Sequence, residues 1–272
     1  MTPASLFALS GKTAVVTGGA TGIGRMASEA LVCAGARVLI ASRKGDVCEA
    51  AAAQLNDSAY PGTAEGFAGD VSTEAGVDAL AAEVCARTDR VHVLMNNAGR
   101  SWGMPLGAFP FDAWEKVMNL NVAGLFHLTQ TLLPQLEAAA SDVDPARVVN
   151  VGSVMGEVPM CDGAYSYAAS KSAVHHVTRI LAKELAQKRI CVNALAPGPF
   201  VSRMTAFATA DEATREKVGA QVPLGRVGQP EDIAGAMLFL CGKGGAYVTG
   251  AILPLSGGIN VETGPAIFAE AT

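Results

Sequence analysis

The sequence predicts a doubly wound α/β fold, a single domain over residues 1–272 with a mostly parallel seven-stranded sheet and helices on both faces. Three observations predict it. Short β-branched runs alternate with longer helical patterns from beginning to end. The runs read as apolar stretches, as strands buried on both faces do, and lack the strict alternation of a strand with one wet face. No linker, internal repeat, low-complexity tract or composition break divides the series, so one sheet takes all the strands.

In order, Thr13-Ala-Val-Val-Thr17 is the first strand and Gly22 to Ala34 the helix after it. Arg37-Val-Leu-Ile-Ala41 comes next, with a helix over Gly45 to Leu55. Ala64–Ala68 carries a weaker strand pattern and Thr73–Ala86 a helical one. Val91-His-Val-Leu-Met95 leads to a long helical stretch at Phe111–Ala139, and Arg147-Val-Val-Asn-Val151 to another at Ala164–Ala186. Ile190-Cys-Val-Asn-Ala194, a helix at Pro230–Cys241 and Ala251-Ile-Leu-Pro254 close the series. Pro197 to Val222 contains prolines, glycines and only a weak helical pattern. Such a segment, following a strand in a compact domain, is either a substrate lid or a surface loop.

Half of the 272 residues are hydrophobic and 17% are charged, so one large domain can bury a sizeable core. Twenty Lys and Arg against 25 Asp and Glu leave a net charge of −5, which offers no footprint for nucleic acid or an anionic membrane. Met1 to Ser10 lack the basic start and apolar run of a signal peptide. No apolar run approaches the ~20 residues that span a bilayer. A soluble, cytoplasmic protein is expected. The six cysteines are scattered, with no Cys-x-x-Cys pair and no histidine at ligand spacing, so neither a metal site nor a disulfide is expected. Cys33, Cys48, Cys85, Cys191 and Cys241 read as buried small apolar residues of a reducing compartment. Cys161, near Tyr167, either packs or lines a pocket.

The first strand runs into Thr17-Gly-Gly-Ala-Thr-Gly-Ile-Gly24, which opens a helix. Gly18, Gly22 and Gly24 let the backbone turn tightly and approach a pyrophosphate, whose charge meets the helix N-terminus beside Thr21 and Ile23. The second strand ends at Ala41-Ser42-Arg43-Lys44. Proteins that choose the unphosphorylated dinucleotide place an acidic residue near this point. A hydroxyl and two cations stand here instead and suit a 2′-phosphate, since guanidinium and phosphate match in geometry and charge. NADPH is expected over NADH, although Arg43 and Lys44 would also serve simply to solvate a helix start. Asp70-Val71 follows the third strand, where the carboxylate can accept from an adenine amino group. Asn96-Asn97-Ala98-Gly99 follows the fourth, with small residues for close passage of a ligand and amides that can stabilise the neighbouring strand. Read alone, either is an ordinary turn.

The reacting end comes later. Tyr167 and Lys171 stand in Ala164-Tyr-Ser-Tyr-Ala-Ala-Ser-Lys171, and positions i and i+4 share a helix face. Tyrosine ordinarily titrates near ~10, and an adjacent ammonium favours its phenolate. The pair therefore reads as a tuned general acid/base. Ser153, at the end of the Asn150-Val-Gly-Ser strand, offers a hydroxyl to a substrate carbonyl. Asn121, polar within an apolar helix, is either a helix-bending amide or part of a proton path. Pro197, Gly198, Phe200 and Ser202 lie at the carboxyl end of another strand, the edge where such sheets bind ligands.

Thr17-Gly-x-x-x-Gly-x-Gly24, Asn96-Asn-Ala-Gly99, Asn121, Ser153, Tyr167-x-x-x-Lys171 and Pro197-Gly198 together resemble the short-chain dehydrogenases/reductases, in that family's order and spacing over nearly the whole chain. Ser101-Trp102-Gly103, Trp114-Glu-Lys-Val-Met118 and Pro199-Phe-Val-Ser-Arg-Met204 are similar to its 3-oxoacyl-[acyl-carrier-protein] reductase and rhamnolipid-synthesis reductase group. The resemblance implies a Rossmann fold and reduction of a ketone to a secondary alcohol. Tyr167 would protonate the carbonyl oxygen and Ser153 would hold it. Lys171 would lower the tyrosine's pKa and bind the nicotinamide ribose, and Asn121 would hold a water linking Lys171 to solvent.

The pocket implied by the resemblance draws on Ser101, Trp102, Met155, Val158, Met160, Cys161, Phe200 and Met204, mostly apolar or soft side chains suited to a hydrophobic ketone or acyl chain. An acyl carrier protein would need basic residues near the mouth, with Arg100, Arg203 and Arg215 as candidates. Family members pair through helices matching 111–139 and 164–186 and are usually tetrameric, so a homotetramer or homodimer is expected. His127, His175 and His176 there read as packing or interface residues. Two departures stand out: Gly152 replaces a common serine before Ser153, and Thr21 replaces a basic residue frequent in NADP-dependent members. Oxidative work on an alcohol or hydroxysteroid, and a nucleotide sensor without chemistry, are the competing readings.

Overall fold

A computed structural model of the chain describes residues 2–160, 162–202, 205 and 211–261. Cys161, Arg203 and Met204, named above for the pocket and its mouth, lie outside the described residues, as does the tail beyond Val261. The strands are β1 (Thr13–Thr17), β2 (Arg37–Ser42), β3 (Thr63–Ala68), β4 (Val93–Asn96), β5 (Ala146–Val151), β6 (Ile190–Pro197) and β7 (Ile252–Leu255). They form one seven-stranded sheet in the order β3-β2-β1-β4-β5-β6-β7, and every neighbouring pair is parallel.

The helices are α1 (Pro3–Phe7), α2 (Gly22–Cys33), α3 (Gly45–Asn56), α4 (Glu74–Arg87), α5 (Asp112–Met118), α6 (Gly124–Thr131), α7 (Leu133–Ala139), α8 (Tyr165–Leu185), α9 (Glu212–Gly219) and α10 (Pro230–Cys241). Alternate strand residues feed two apolar layers, because successive side chains point to opposite sheet faces. Ala14, Val16, Val38 and Ile40 pack with Leu31 of α2 and Ile233, Met237 and Leu240 of α10. Val15, Leu39, Leu94 and Val148 pack with Leu80 of α4, Leu128 of α6 and Leu181 of α8. The doubly wound architecture expected from the apolar runs is the one observed. Among the described residues, no helix is long and apolar enough to cross a membrane.

The chain winds outward from β1 through β2 to β3, then returns to β4 on the other side of β1. Strand order therefore reverses between β1 and β4, and the crevice outside their carboxyl ends is where sheets of this kind take ligands.

The expected helix over Phe111–Ala139 is interrupted twice. Asn119–Ala123 forms a π-turn, an insertion that occurs often at functional sites. Leu132 then leaves helical geometry, with φ −88° and ψ 6°. Pro134 explains the second break, since it has no N–H to give to Gln130 and its ring crowds that carbonyl. The reading of five buried cysteines also needs correction. Cys48, Cys191 and Cys241 are buried, but Cys33 and Cys85 are exposed. In α4 the inward stripe is Val77, Leu80, Ala81 and Val84, and Cys85 sits just off it. Part of Pro197–Val222 is helical as α9, whose Asp211 cap accepts from the Thr214 N–H at 2.8 Å.

Candidate active site

The crevice between β1 and β4 is floored by a glycine turn. Gly18 and Gly22 have φ of 65° and 54°, backbone that glycine adopts without steric cost. A Cβ on Gly24 would fall 2.3 Å from the Gly18 carbonyl oxygen and 2.5 Å from Asn97 Nδ2, so α2 reaches the sheet this closely only because Gly24 has no side chain. The Asn97 amide donates to the carbonyls of Thr17 and Gly18 at 2.9 and 3.1 Å, and Thr17 Oγ1 accepts from the N–H groups of Asn97 and Ala98. Those bonds staple the end of β4 to the turn. Asn96, the last residue of β4, donates to Thr129 and Asn150 in the sheet interior, the stabilising part expected of an amide in this segment. Thr21 caps α2 without a side-chain hydrogen bond, which leaves the first amides of that helix facing the crevice.

A cavity of about 550 Å³ opens from this floor. Gly18, Thr21, Gly22 and Ile23 line it on one side, Ser42, Arg43, Lys44, Asp70 and Val71 on another. Asn97, Ala98, Gly99, Arg100 and Ser101 lead toward Ser153, Tyr167 and Lys171, and Pro197, Gly198, Phe200 and Ser202 close the far wall. The residues expected to hold the cofactor and do the chemistry thus line one cavity, apart from Gly24 behind the turn and Asn121 behind Gly99. Arg43 is exposed and makes no ion pair among the described residues. Asp70 accepts from the Ser72 N–H at 2.9 Å. A tight glycine floor, open helix amides and two cations at one end suit an elongated ligand carrying phosphates, so the residues fit a dinucleotide.

At the other end, α8 brings Tyr167 and Lys171 to one face. The Lys171 ammonium donates to the Val151 carbonyl at 2.7 Å and lies 5.5 Å from the Tyr167 ring centroid. Burial pushes that ammonium down to about 8. Tyr165 points elsewhere, packing edge-on against Phe109 with ring centroids 5.4 Å apart. Ser153 is buried just beyond β5, and its Oγ accepts from the Met155 N–H at 3.2 Å.

Asn121 sits within the π-turn and is 2% exposed. Its Oδ1 accepts from the Arg100 N–H at 2.9 Å, while Nδ2 donates to the Arg100 carbonyl and to Ser170 Oγ. Ser170 Oγ in turn donates to the Tyr167 carbonyl at 2.7 Å. Sequence reading missed Ser170 entirely; its only local signal was its place next to Lys171. A Cβ on Gly99 would lie 3.4 Å from Asn121 Oδ1 and 3.6 Å from Lys171 Nζ, so that backbone passes directly over both.

Several pocket residues from the sequence stand apart from this cavity. Met155 and Val158 pack against Val154, Val222 and Ile259, and Met160 is exposed. Trp102 has two cations near its ring, Arg100 at 5.9 Å and Lys116 at 5.6 Å from the centroid. The segment that carries it runs beside the one after Ser153, where the Met104 N–H donates to the Gly163 carbonyl at 3.1 Å.

The profile of the short chain dehydrogenase family matches residues 12–213. The chain belongs to the short-chain dehydrogenase family. Among its relatives in that family, it is 45% identical over 255 residues to the rhamnolipids biosynthesis 3-oxoacyl-[acyl-carrier-protein] reductase of Pseudomonas aeruginosa, covering 94% of this chain and 98% of that protein. It is 32% identical over 250 residues to the 7alpha-hydroxysteroid dehydrogenase of Escherichia coli, covering 92% and 94%. Its fold superposes on a Pseudomonas aeruginosa RhlG/NADP active-site complex with a TM-score of 0.90 at 44% identity, over 94% of this chain and 99% of that one.

His175, expected to pack or to lie at an interface, is buried beneath Gly152 and Ser153 at 3% exposure. Burial, with Arg179 and Lys171 adding, pushes its imidazole down to about 4, against ~6.5 in an unfolded chain. Between those values the unfolded chain binds a proton that the folded one refuses, so stability falls as pH drops from about 6.5 toward 4. Melting curves across that range should show wild type losing several degrees more than His175→Gln. Parallel curves would show that His175 does not carry the acid sensitivity.

Proposed function

We propose that this chain is an NADPH-dependent reductase that converts a ketone to a secondary alcohol, with a 3-oxoacyl thioester as the leading substrate class. The observation that carries the reading is the buried Lys171 ammonium, held by Val151 and set beside Tyr167 at one end of a cavity whose other end is a glycine turn with two cations. The likeness to a 3-oxoacyl-[acyl-carrier-protein] reductase and to an NADP complex supports the substrate class and the cofactor.

Gly18, Thr21, Gly22 and Ile23 would meet the pyrophosphate, Arg43 with Ser42 and Lys44 the 2′-phosphate, and Asp70 with Val71 the adenine. Asn97, Ala98, Gly99, Pro197, Gly198, Phe200 and Ser202 would line the path to the ribose at Lys171. When bound, the reduced nicotinamide supplies the hydride. Ser153 Oγ holds the carbonyl oxygen and stabilises its developing charge. Tyr167 gives that oxygen its proton, and Lys171 keeps the phenol acidic enough to do so. By family likeness, Asn121 would also hold a water linking Lys171 to solvent. Low dielectric around these groups makes each dipole count for more than it would in water.

Segment 197–222 would act as the lid over the substrate, and Arg100 and Arg215 as the basic residues that greet an acyl carrier protein. Exposed Phe111, Phe126 and Ile180 on and beside α5, α6 and α8 support a homodimer or homotetramer joined through those helices, and such an enzyme would work in the cytoplasm. An oxidative steroid or alcohol dehydrogenase is the second reading, favoured by the 32% identity to the hydroxysteroid enzyme.

The test is loss of NADPH absorbance with 3-oxoacyl thioesters, cyclic ketones and oxosteroids presented in parallel. Turnover is expected for the thioesters above the others; steroid turnover alone would favour the second reading, and no turnover on any ketone would overturn both. Arg43→Ala should raise KM for NADPH about tenfold and leave KM for NADH nearly unchanged, since only the phosphorylated cofactor loses a charge-assisted partner. Equal effects on the two cofactors would remove Arg43 from phosphate recognition.

A further inference from the structure

Ser153 is carried by a short turn between β5 and α8. The Gly152 N–H donates to the Leu195 carbonyl at 2.8 Å and the Gly156 N–H to the Ser153 carbonyl at 2.9 Å. Beneath the turn lies His175, one helical step past Lys171 on the same face of α8. Its ring fills a notch that exists because positions 152 and 156 lack side chains. A Cβ on Gly152 would fall 2.1 Å from His175 Nε2 and 2.5 Å from Cδ2, and one on Gly156 would fall 2.8 Å from the Lys171 carbonyl carbon and 2.9 Å from His175 Cε1. No side-chain atom fits those gaps without displacing the ring.

One ring nitrogen faces Ser153 and the other faces Glu157. Nε2 is 3.4 Å from the Ser153 N–H donor, a long contact, and Nδ1 is 3.6 Å from Glu157 Oε1. For Nε2 to accept from that N–H it must be unprotonated, which leaves the proton on Nδ1, facing the Glu157 carboxylate. Burial first, with Arg179 and Lys171 on the same helix adding, disfavours the doubly protonated ring. Shape does more here than either polar contact, because both are long and the steric clearances are short.

We propose that His175 is a positioning residue for Ser153, seated between Gly152 and Gly156 so that the turn presents the Ser153 hydroxyl to the carbonyl oxygen. On this view, Gly152 in place of a serine is one half of a matched pair whose other half is the imidazole. The seat stands on packing alone; what Ser153 does with its aim rests on the ketone-reductase reading.

The experiment compares wild type, His175→Ala, His175→Gln, Gly152→Ala and the double variant Gly152→Ala with His175→Ala. It measures kcat and KM on the best ketone of the screen, NADPH affinity by fluorescence titration, and melting temperature. His175→Ala should lower kcat roughly 10- to 100-fold with NADPH affinity unchanged, the signature of a misplaced group. His175→Gln, which keeps an acceptor near the Nε2 place, should recover most of that loss. Gly152→Ala should be impaired alone, and the double variant should be less impaired than Gly152→Ala in both kcat and melting temperature.

Wild-type kcat in His175→Ala, equal losses in His175→Ala and His175→Gln, or strictly additive melting losses would each overturn the inference. If His175→Ala does not fold, His175→Gln and the double variant decide. A wild-type chain that reduces no ketone would overturn the reading on which Ser153's role rests. That failure is told apart because it leaves the melting coupling of Gly152 and His175 intact.

Discussion

Tyr167→Phe is expected to lower kcat about a thousandfold while NADPH affinity stays within about twofold, the range for removal of a positioned general acid. The ring stays, so its packing beside Lys171 and along α8 stays with it; the hydroxyl leaves, and the transferable proton with it. Lys171 would still donate to the Val151 carbonyl, and the glycine turn and the Ser42–Lys44 corner, at the far end of the cavity, would not register the change. Stopped-flow mixing with substrate should show bound NADPH that is not consumed. If the variant turns over ketone like wild type, Tyr167 is not the proton donor. If it also loses NADPH, the phenol is a binding group first, and the assignment of roles between Tyr167 and Lys171 has to be redrawn.

Gly24→Ala is expected to weaken NADPH binding at least a hundredfold, or to lower the melting temperature by several degrees if the turn yields first. The added methyl would stand 2.3 Å from the Gly18 carbonyl oxygen and 2.5 Å from Asn97 Nδ2. Relief requires α2 to move off the sheet or Asn97 to let go of Thr17 and Gly18, and either motion opens the floor on which a pyrophosphate would rest. Gly11→Ala is the control. Its added Cβ meets nothing within 4 Å, yet its φ of 78° carries the ordinary strain of such a backbone, so any loss it shows reports conformation and not contact. Equal NADPH affinity in the two variants would mean that the close approach of α2 plays no part in holding the cofactor.

What could be read from the sequence was what lies close together along the chain. The glycine turn, the Ser42–Lys44 corner and the Tyr167–Lys171 pair are each a few residues long, and each sits where the strand series put it. The parallel sheet followed from apolar runs that could only be covered on both sides. Ser170 was illegible because its meaning lies in touching Asn121, far away in sequence. The fit of His175 under Gly152 is illegible for the same reason, since the two stand 23 positions apart and touch only in the fold. Two misreadings came from trusting composition over geometry. Pro134 was lost in an apolar pattern that otherwise continues, and Cys33 and Cys85 were assigned to the core by residue type when their place on the helix turns them outward.

The Asn121 amide spends both of its ends on the backbone of Arg100, and this has a consequence for how the molecule can change over evolution. That amide acts as a rivet. On one side of it the parts that move a proton are bolted to α8 through Ser170; on the other, residues 101–105 lead off toward Gly163, tied there by the Met104 backbone and not by side chains. Lineages, or a designer, can trade the residues that greet a new ketone without re-tuning the machinery that reduces it. Because the amide grips only the backbone of residue 100, even that side chain can change while the rivet holds.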